Sequence, residues 1–143
     1  MTDLPLATVG ALAVGPKQQV LLIRTHKWLG SWGVPGGKIH YGESLRHALL
    51  REFREETGLE LFDIHWGPVQ EAVLSREFHK PAHFILLNFV ARSASEKVVL
   101  NQEAQEYRWL PPREALTLPL NTPTRRLLHY YLEHGFSTSK LGG

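Results

Sequence analysis

No cysteine occurs in the chain, which excludes a disulfide framework, a thiolate-ligated metal and a cysteine nucleophile together. No apolar run approaches the ~20 residues that span a bilayer, and the N-terminus lacks the basic segment and apolar core of a secretion signal. A soluble, cytoplasmic protein is the expectation. Blocks of like charge are missing too: 16 Lys and Arg stand against 14 Asp and Glu, a formal charge of +2. Thr124-Arg125-Arg126 is too short for a nucleic-acid arm, so neither polymer nucleic acid nor membrane is expected as a partner. The eight histidines show no H-x-E or H-E-x-x-H spacing, which argues against zinc.

What is present suits one compact unit. A chain of 143 residues is long enough for one core and too short for two comfortable ones. With 43% hydrophobic and 21% charged residues, the composition is that of a soluble globular domain. No repeat, low-complexity tract or linker breaks the interior. Residues 1–136 are expected to form a single domain, and 137–143 a loosely ordered tail.

Local patterning gives the elements in order. Leu6 to Val14 reads as a strand, Gly15-Pro16-Lys17-Gln18 as a turn, and Val20 to Arg24 as its hairpin partner. Thr25 to Val34 reads as a loop whose Trp28 and Trp32 either stack on a base or sugar or serve packing. The segment from Leu61 to Leu74, broken by Gly67-Pro68, fits two strands or one bent strand. Ala82 to Ala91 is nearly continuous in apolar residues and is expected as a central strand. Asn101 to Leu110 reads as a loop entering a short strand, and Pro111-Pro112 as a helix start. A last helix, Thr124 to His134, offers Leu127, Leu128, Tyr131 and Leu132 for packing.

The chemistry concentrates between Gly37 and Leu59. After Val34-Pro35-Gly36-Gly37 a short loop leads to Glu43, and a helix carries Arg51, Glu52, Glu55 and Glu56 before Gly58 stops it. At about 100° per residue the three helical carboxylates share one stripe, and that stripe overlaps the arc of Leu45, Leu49 and Phe53. Carboxylates turned toward the fold need compensation, and a bound cation supplies it. Oxygen donors of this kind suit Mg²⁺ or Mn²⁺, which share their coordination with substrate phosphates. Lys38, just after the glycines, is placed either to meet a phosphate or to be solvated.

Written out, the stretch is G-x5-E-x7-R-E-apolar-x-E-E-x-G-apolar. In that form it resembles the Nudix box of the MutT-like pyrophosphohydrolases at every specified position. A solvated helix laced with ion pairs explains neither the glycines nor the inward acids. The resemblance implies an α+β fold: an α/β/α sandwich around a mixed central sheet, with a catalytic loop-helix-loop and a C-terminal helix. It also implies that the Gly37 carbonyl joins Glu52, Glu55 and Glu56 as metal donors. An acidic residue shortly before a strand tryptophan is implied as a further donor, with Glu103 the first choice and Glu106 the second.

The implied reaction is metal-dependent hydrolysis of a pyrophosphate bond in a nucleoside diphosphate linked to a further group. Glu52, Glu55, Glu103 and Arg51 are the candidate catalytic residues, with Glu55 or Glu103 as base and Arg51 orienting Glu55 through an i,i+4 pair. Glu43 gives similar support. Candidate substrate contacts are Arg24, Trp28, Trp32, Lys38 and Asn121. In MutT-type enzymes acting on oxidised guanine nucleotides an Asn before an x-Pro reads the base, and Asn121 matches it; Asn121 is equally suited to cap the helix.

No proline falls about 15 residues after Leu59, as in ADP-ribose hydrolases, and no tyrosine slightly later, as in dinucleoside polyphosphate hydrolases. A nucleoside triphosphate is therefore the first expectation for the substrate. A nucleotide sugar is the second, since Tyr107-Arg108-Trp109-Leu110 and His83-Phe84 are similar to GDP-mannose hydrolases. A non-catalytic nucleotide-binding module is the third, and the intact acids disfavour it. A homodimer is common among such relatives.

Overall fold

β1 (Leu6–Val14) alternates its apolar residues between two cores, sending Val9, Ala11 and Ala13 into one and Leu12 and Val14 into the other. A strand buried on both faces belongs inside a sheet. In the computed structural model, which describes residues 3–142, β1 lies between β2 (Val20–Thr25), antiparallel, and β6 (His83–Ser93), parallel. The mixed seven-stranded sheet runs β3-β2-β1-β6-β5, where β3 is Trp32–Gly33 and β5 is Leu61–Val73. β4 (Gly36–Lys38) pairs with β1, and β7 (Ala104–Leu110) with β2. Met1, Thr2 and Gly143, the ends of the expected domain and tail, lie outside the described residues.

Helices cover both faces. α1 (Leu45–Thr57) packs Ala48, Leu49 and Phe53 into the first core beside Leu59, Ile64 and Phe89. α2 (Pro112–Ala115) and α3 (Thr122–His134) bring Ala115, Leu127 and Leu128 to the second, beside Leu22, Val90 and Leu110. The result is the expected α/β/α sandwich. Ser44 Oγ accepts the His47 N–H at 3.1 Å to start α1, and Gly58 at φ +73° ends it; a cap of this kind contributes about 1 kcal/mol. Among the described residues no helix is long and apolar enough to cross a membrane.

The segment left open as two strands or one is a single bent strand. β5 pairs with β6 throughout, with register shifts between Phe62 and His65 and between Trp66 and Val69. The second shift contains Pro68, which has no N–H for the ladder. Trp32, an expected cleft wall, is instead in β3 and only 6% exposed, packed in the second core. Its backbone pairs with Leu120, and its N–H donates to Pro119 O. Packing, not ligand contact, accounts for this ring.

The C-terminal residues, expected to be loosely ordered, lie along β5. Trp66 N–H donates to Ser139 O and Leu141 N–H to Ile64 O, both at 2.9 Å. Asp63, at φ +51° in the first bulge, gathers His65 Nε2 at 2.9 Å, Arg92 Nε at 2.9 Å and Lys140 Nζ at 3.1 Å. Hydrogen bonds from His65, Arg92 and Lys140 hold its carboxyl well below the usual range.

A group depressed in the folded state stabilises above its unfolded pKa of about 3.9, and that contribution is lost as pH falls through the folded value. Asp63→Asn, which tolerates the same backbone, is expected to lower the urea midpoint at pH 7. The gap to the wild type should narrow steadily as unfolding is repeated from pH 5 to pH 2.5.

Candidate active site

Two glycines bring β4 against its neighbours. A Cβ on Gly36 would lie 2.2 Å from Val9 O, and one on Gly37 would lie 2.5 Å from the Glu52 carboxyl carbon. Only residues without side chains permit this approach. It places Gly36 N–H 3.2 Å from Glu56 Oε2, so α1 is tied to β4 through its own acid.

Glu52 and Glu56 on α1 then meet Glu103 from the turn ahead of β7. Each offers one carboxylate oxygen, and all three oxygens lie within 4.8 Å of one another. Glu56 is 4% exposed. Burial pushes its carboxyl well above the ordinary range, Glu52 and Glu103 push it further, and the Gly36 N–H opposes them. Three oxygens this close carry more negative charge than the protein itself balances, which is the donor chemistry of a hard divalent cation.

Arg51 balances the neighbouring acids. Its Nε donates to Glu43 Oε2 at 2.6 Å and its Nη2 to Glu43 Oε1 at 2.9 Å, a bidentate pair. Nη1 donates to Glu52 at 3.0 Å and Glu55 at 3.2 Å, and Nη2 also reaches Lys38 O at 3.0 Å. The guanidinium beside it lowers the Glu43 carboxyl to about 2, and Glu43 in turn raises Arg51. Glu55 is not part of the acid cluster: its side chain is 52% exposed and rests on Arg51.

A cavity of about 320 Å³ opens beside the acids. Its lining includes Gly37, Lys38, Glu52, Glu103 and Lys27, whose Nζ lies 3.3 Å from Glu103 Oε1. Trp28, Phe78 and Phe84 also line it, with Phe78 edge-on to both other rings at 4.9 Å. Thr8 and Gly10 of β1 and Leu86 and Asn88 of β6, alternate residues of paired strands, line it from the sheet. The loop carrying Phe78 is clamped: Glu77 accepts the Thr122 N–H at 3.0 Å, and His79 N–H donates to Lys27 O at 2.8 Å.

Among the sequence candidates, then, Gly37, Lys38, Glu52, Glu103, Trp28 and Asn121 line one cavity. Asn121 caps α3, its Oδ1 accepting the Thr124 N–H at 2.9 Å, and the residue also lines the cavity. Arg24 does not line it; its Nε lies 2.7 Å from Glu106, which does not line it either. Lys27, Phe78 and Asn88 escaped the sequence reading. Asn88 had a signal, as a lone polar residue in an apolar strand.

A NUDIX domain family model matches residues 4–131. Nucleoside triphosphatase NudI of Escherichia coli strain K12 is 31% identical over 105 residues, 69% of this chain and 74% of the relative. The MutT NUDIX hydrolase of Burkholderia pseudomallei superposes with a TM-score of 0.77 at 25% identity, covering 90% of this chain and 98% of that one. The NUDIX domain of Shewanella oneidensis NrtR, solved with ADP ribose, gives a TM-score of 0.77 at 25% identity over 93% and 90%. The chain belongs to the NUDIX family of pyrophosphohydrolases.

Three variants probe the cluster and the strand beside it in the metal-free protein. A carboxylate whose folded pKa is raised loses stability as pH climbs from its unfolded value through the folded one. Glu56→Gln is expected to raise the melting temperature at pH 7.5 by about 4 °C, the response to ~1 kcal/mol in a domain of this size. The difference should shrink toward pH 5 in scanning calorimetry. Gly37→Ala displaces the Glu52 carboxylate but meets no backbone, so it should stay folded by circular dichroism. Gly36→Ala, which meets Val9 O, should not.

Proposed function

We propose that the chain hydrolyses a nucleoside triphosphate with the help of Mg²⁺ or Mn²⁺, cutting a pyrophosphate bond beside the acid cluster. The observation that carries this reading is the convergence of Glu52, Glu56 and Glu103, two of which line a cavity that Trp28, Phe78 and Phe84 also line. The name of the Escherichia coli relative, nucleoside triphosphatase, supports the substrate class. The acid cluster, with one member held above the ordinary carboxyl range, fits a hard cation, and Glu52, Glu56, Glu103 and the Gly37 carbonyl would hold it. A divalent ion there supplies positive charge for the phosphate oxygens and lowers the pKa of water.

The protein's own groups do the rest. Trp28, Phe78 and Phe84 receive the base by ring contact, and Lys38 and Lys27 face the phosphate chain from the same cavity. Glu55, tied only to Arg51 and half-exposed, is free to take the proton from water as its oxygen bonds to phosphorus. The bridging P–O bond breaks, and the leaving phosphate carries away the electron pair. Arg51 holds Glu43, Glu52 and Glu55 in one network, which fixes the helix against β4. The enzyme acts in the cytoplasm on free nucleotides, alone or as a symmetric dimer.

The test is phosphate and pyrophosphate release from a nucleotide panel, with and without Mg²⁺. Glu52→Gln and Glu55→Gln should each lower kcat by about 10²–10⁴, the range for loss of a positioned base or ligand, and chelation should abolish turnover. Equal activity in the variants, or none with any nucleotide, overturns the reading.

A further inference from the structure

The shape of a side-chain amide does not distinguish its oxygen from its nitrogen, but its partners do. Pro123 O can only accept, so the Gln70 atom 2.8 Å away is the nitrogen Nε2. That same nitrogen lies 2.8 Å from the Asn88 side chain, so the Asn88 atom facing it is the oxygen Oδ1. A backbone carbonyl on α3 thus dictates, through Gln70, which way Asn88 is turned. Asn88 is 6% exposed and lines the cavity, and its Nδ2 has no partner among the described residues.

Asn121 arrives at the same polarity from another direction. The Thr124 N–H can only donate, so it takes Oδ1 of Asn121 and leaves Nδ2 over. Asn121 is 4% exposed and lines the same cavity. Thr8, also in the lining, gives its hydroxyl hydrogen to Ile85 O at 3.4 Å. The other oxygen of the relay, Gln70 Oε1, is buried and does not line the cavity. The cavity lining therefore holds two amides whose oxygens are engaged and whose nitrogens are spare. A ligand supplying an acceptor can take such a donor's hydrogen, while one supplying a further donor meets no partner there and loses its own bond to water.

We propose that Asn88, oriented by Gln70, is a specificity-determining residue that selects rings presenting a keto oxygen over rings presenting an amino group. The inference rests on the nucleotide reading of the cavity, and it adds the class of base: 6-oxopurines and 4-oxopyrimidines over their amino counterparts. Discrimination of this sort is strong because the wrong group leaves both partners unsatisfied.

Binding in the absence of divalent ions separates this from the chemistry. The full chain is titrated with IMP against AMP and with UMP against CMP, pairs that differ at the keto or amino position, following tryptophan fluorescence. The keto member of each pair should bind at least 10-fold more tightly. Asn88→Asp, which replaces the spare donor by an acceptor in nearly the same shape, should bring the ratio to one or invert it. Gln70→Leu, which frees the Asn88 amide to turn over, should bring it toward one even if Asn88→Asp fails to fold.

Equal binding of both members, or a ratio that survives Gln70→Leu, overturns the proposal. The outcomes also divide the two readings. Keto selectivity without hydrolysis of any triphosphate supports this inference and sinks the hydrolase. Hydrolysis with no preference between bases leaves the hydrolase and sinks the inference, and no binding of either pair sinks the inference while the hydrolase is decided by turnover with Mg²⁺.

Discussion

The closeness of β4 to β1 and α1 is the constraint on which the site depends. Gly36 and Gly37 stand where any side chain would enter Val9 O or the Glu52 carboxylate. That approach lets Gly36 N–H reach Glu56 and lets Arg51 reach Lys38 O, so strand and helix are locked at two points. Core packing of Leu49 and Phe53 holds α1 on the sheet from behind. The acids are thus set by rigid backbone on one side and a full core on the other, which is how a site is kept in place without its ligand.

Charge is distributed unevenly by design of the network. Arg51 reaches Glu43, Glu52 and Glu55, and Glu43 is thereby held low. Lys27 reaches Glu103. Glu56 gets only a backbone N–H, and burial beside Glu52 and Glu103 raises its carboxyl well above the ordinary range. The deficit is localised at one buried oxygen pair, and the neighbouring groups are already committed. A cation entering there would meet donors already in position.

Much of this was legible locally. Helix α1 announces itself by its stop at Gly58 and its apolar arc, and the stripe of acids follows from helical geometry. The strands β1 and β6 announce themselves by continuous apolar residues. What escaped depends on contacts distant in sequence. The wheel gives Glu55 the same standing as Glu52 and Glu56, and only the position of β4 separates the buried pair from the exposed acid. Trp32 and Trp28 look alike in the chain, but pairing of Trp32 with Arg24 and Leu120 draws it into the core. Arg24 and Glu106 neutralise each other because they are partners across β2 and β7. Asn88 is visible only as an oddity until Gln70 and Pro123 show which way it faces.

The clamp made by Glu77 on the start of α3 has a broader consequence. It belongs to the β5–β6 loop and α3, whereas the acids belong to α1, β4 and the turn before β7. One link between the two groups of segments runs through Lys27, which accepts the His79 N–H and donates to Glu103. Phe78 and the acids are therefore carried by largely separate segments, so residues of that loop and of α3 can be exchanged without touching the acid cluster.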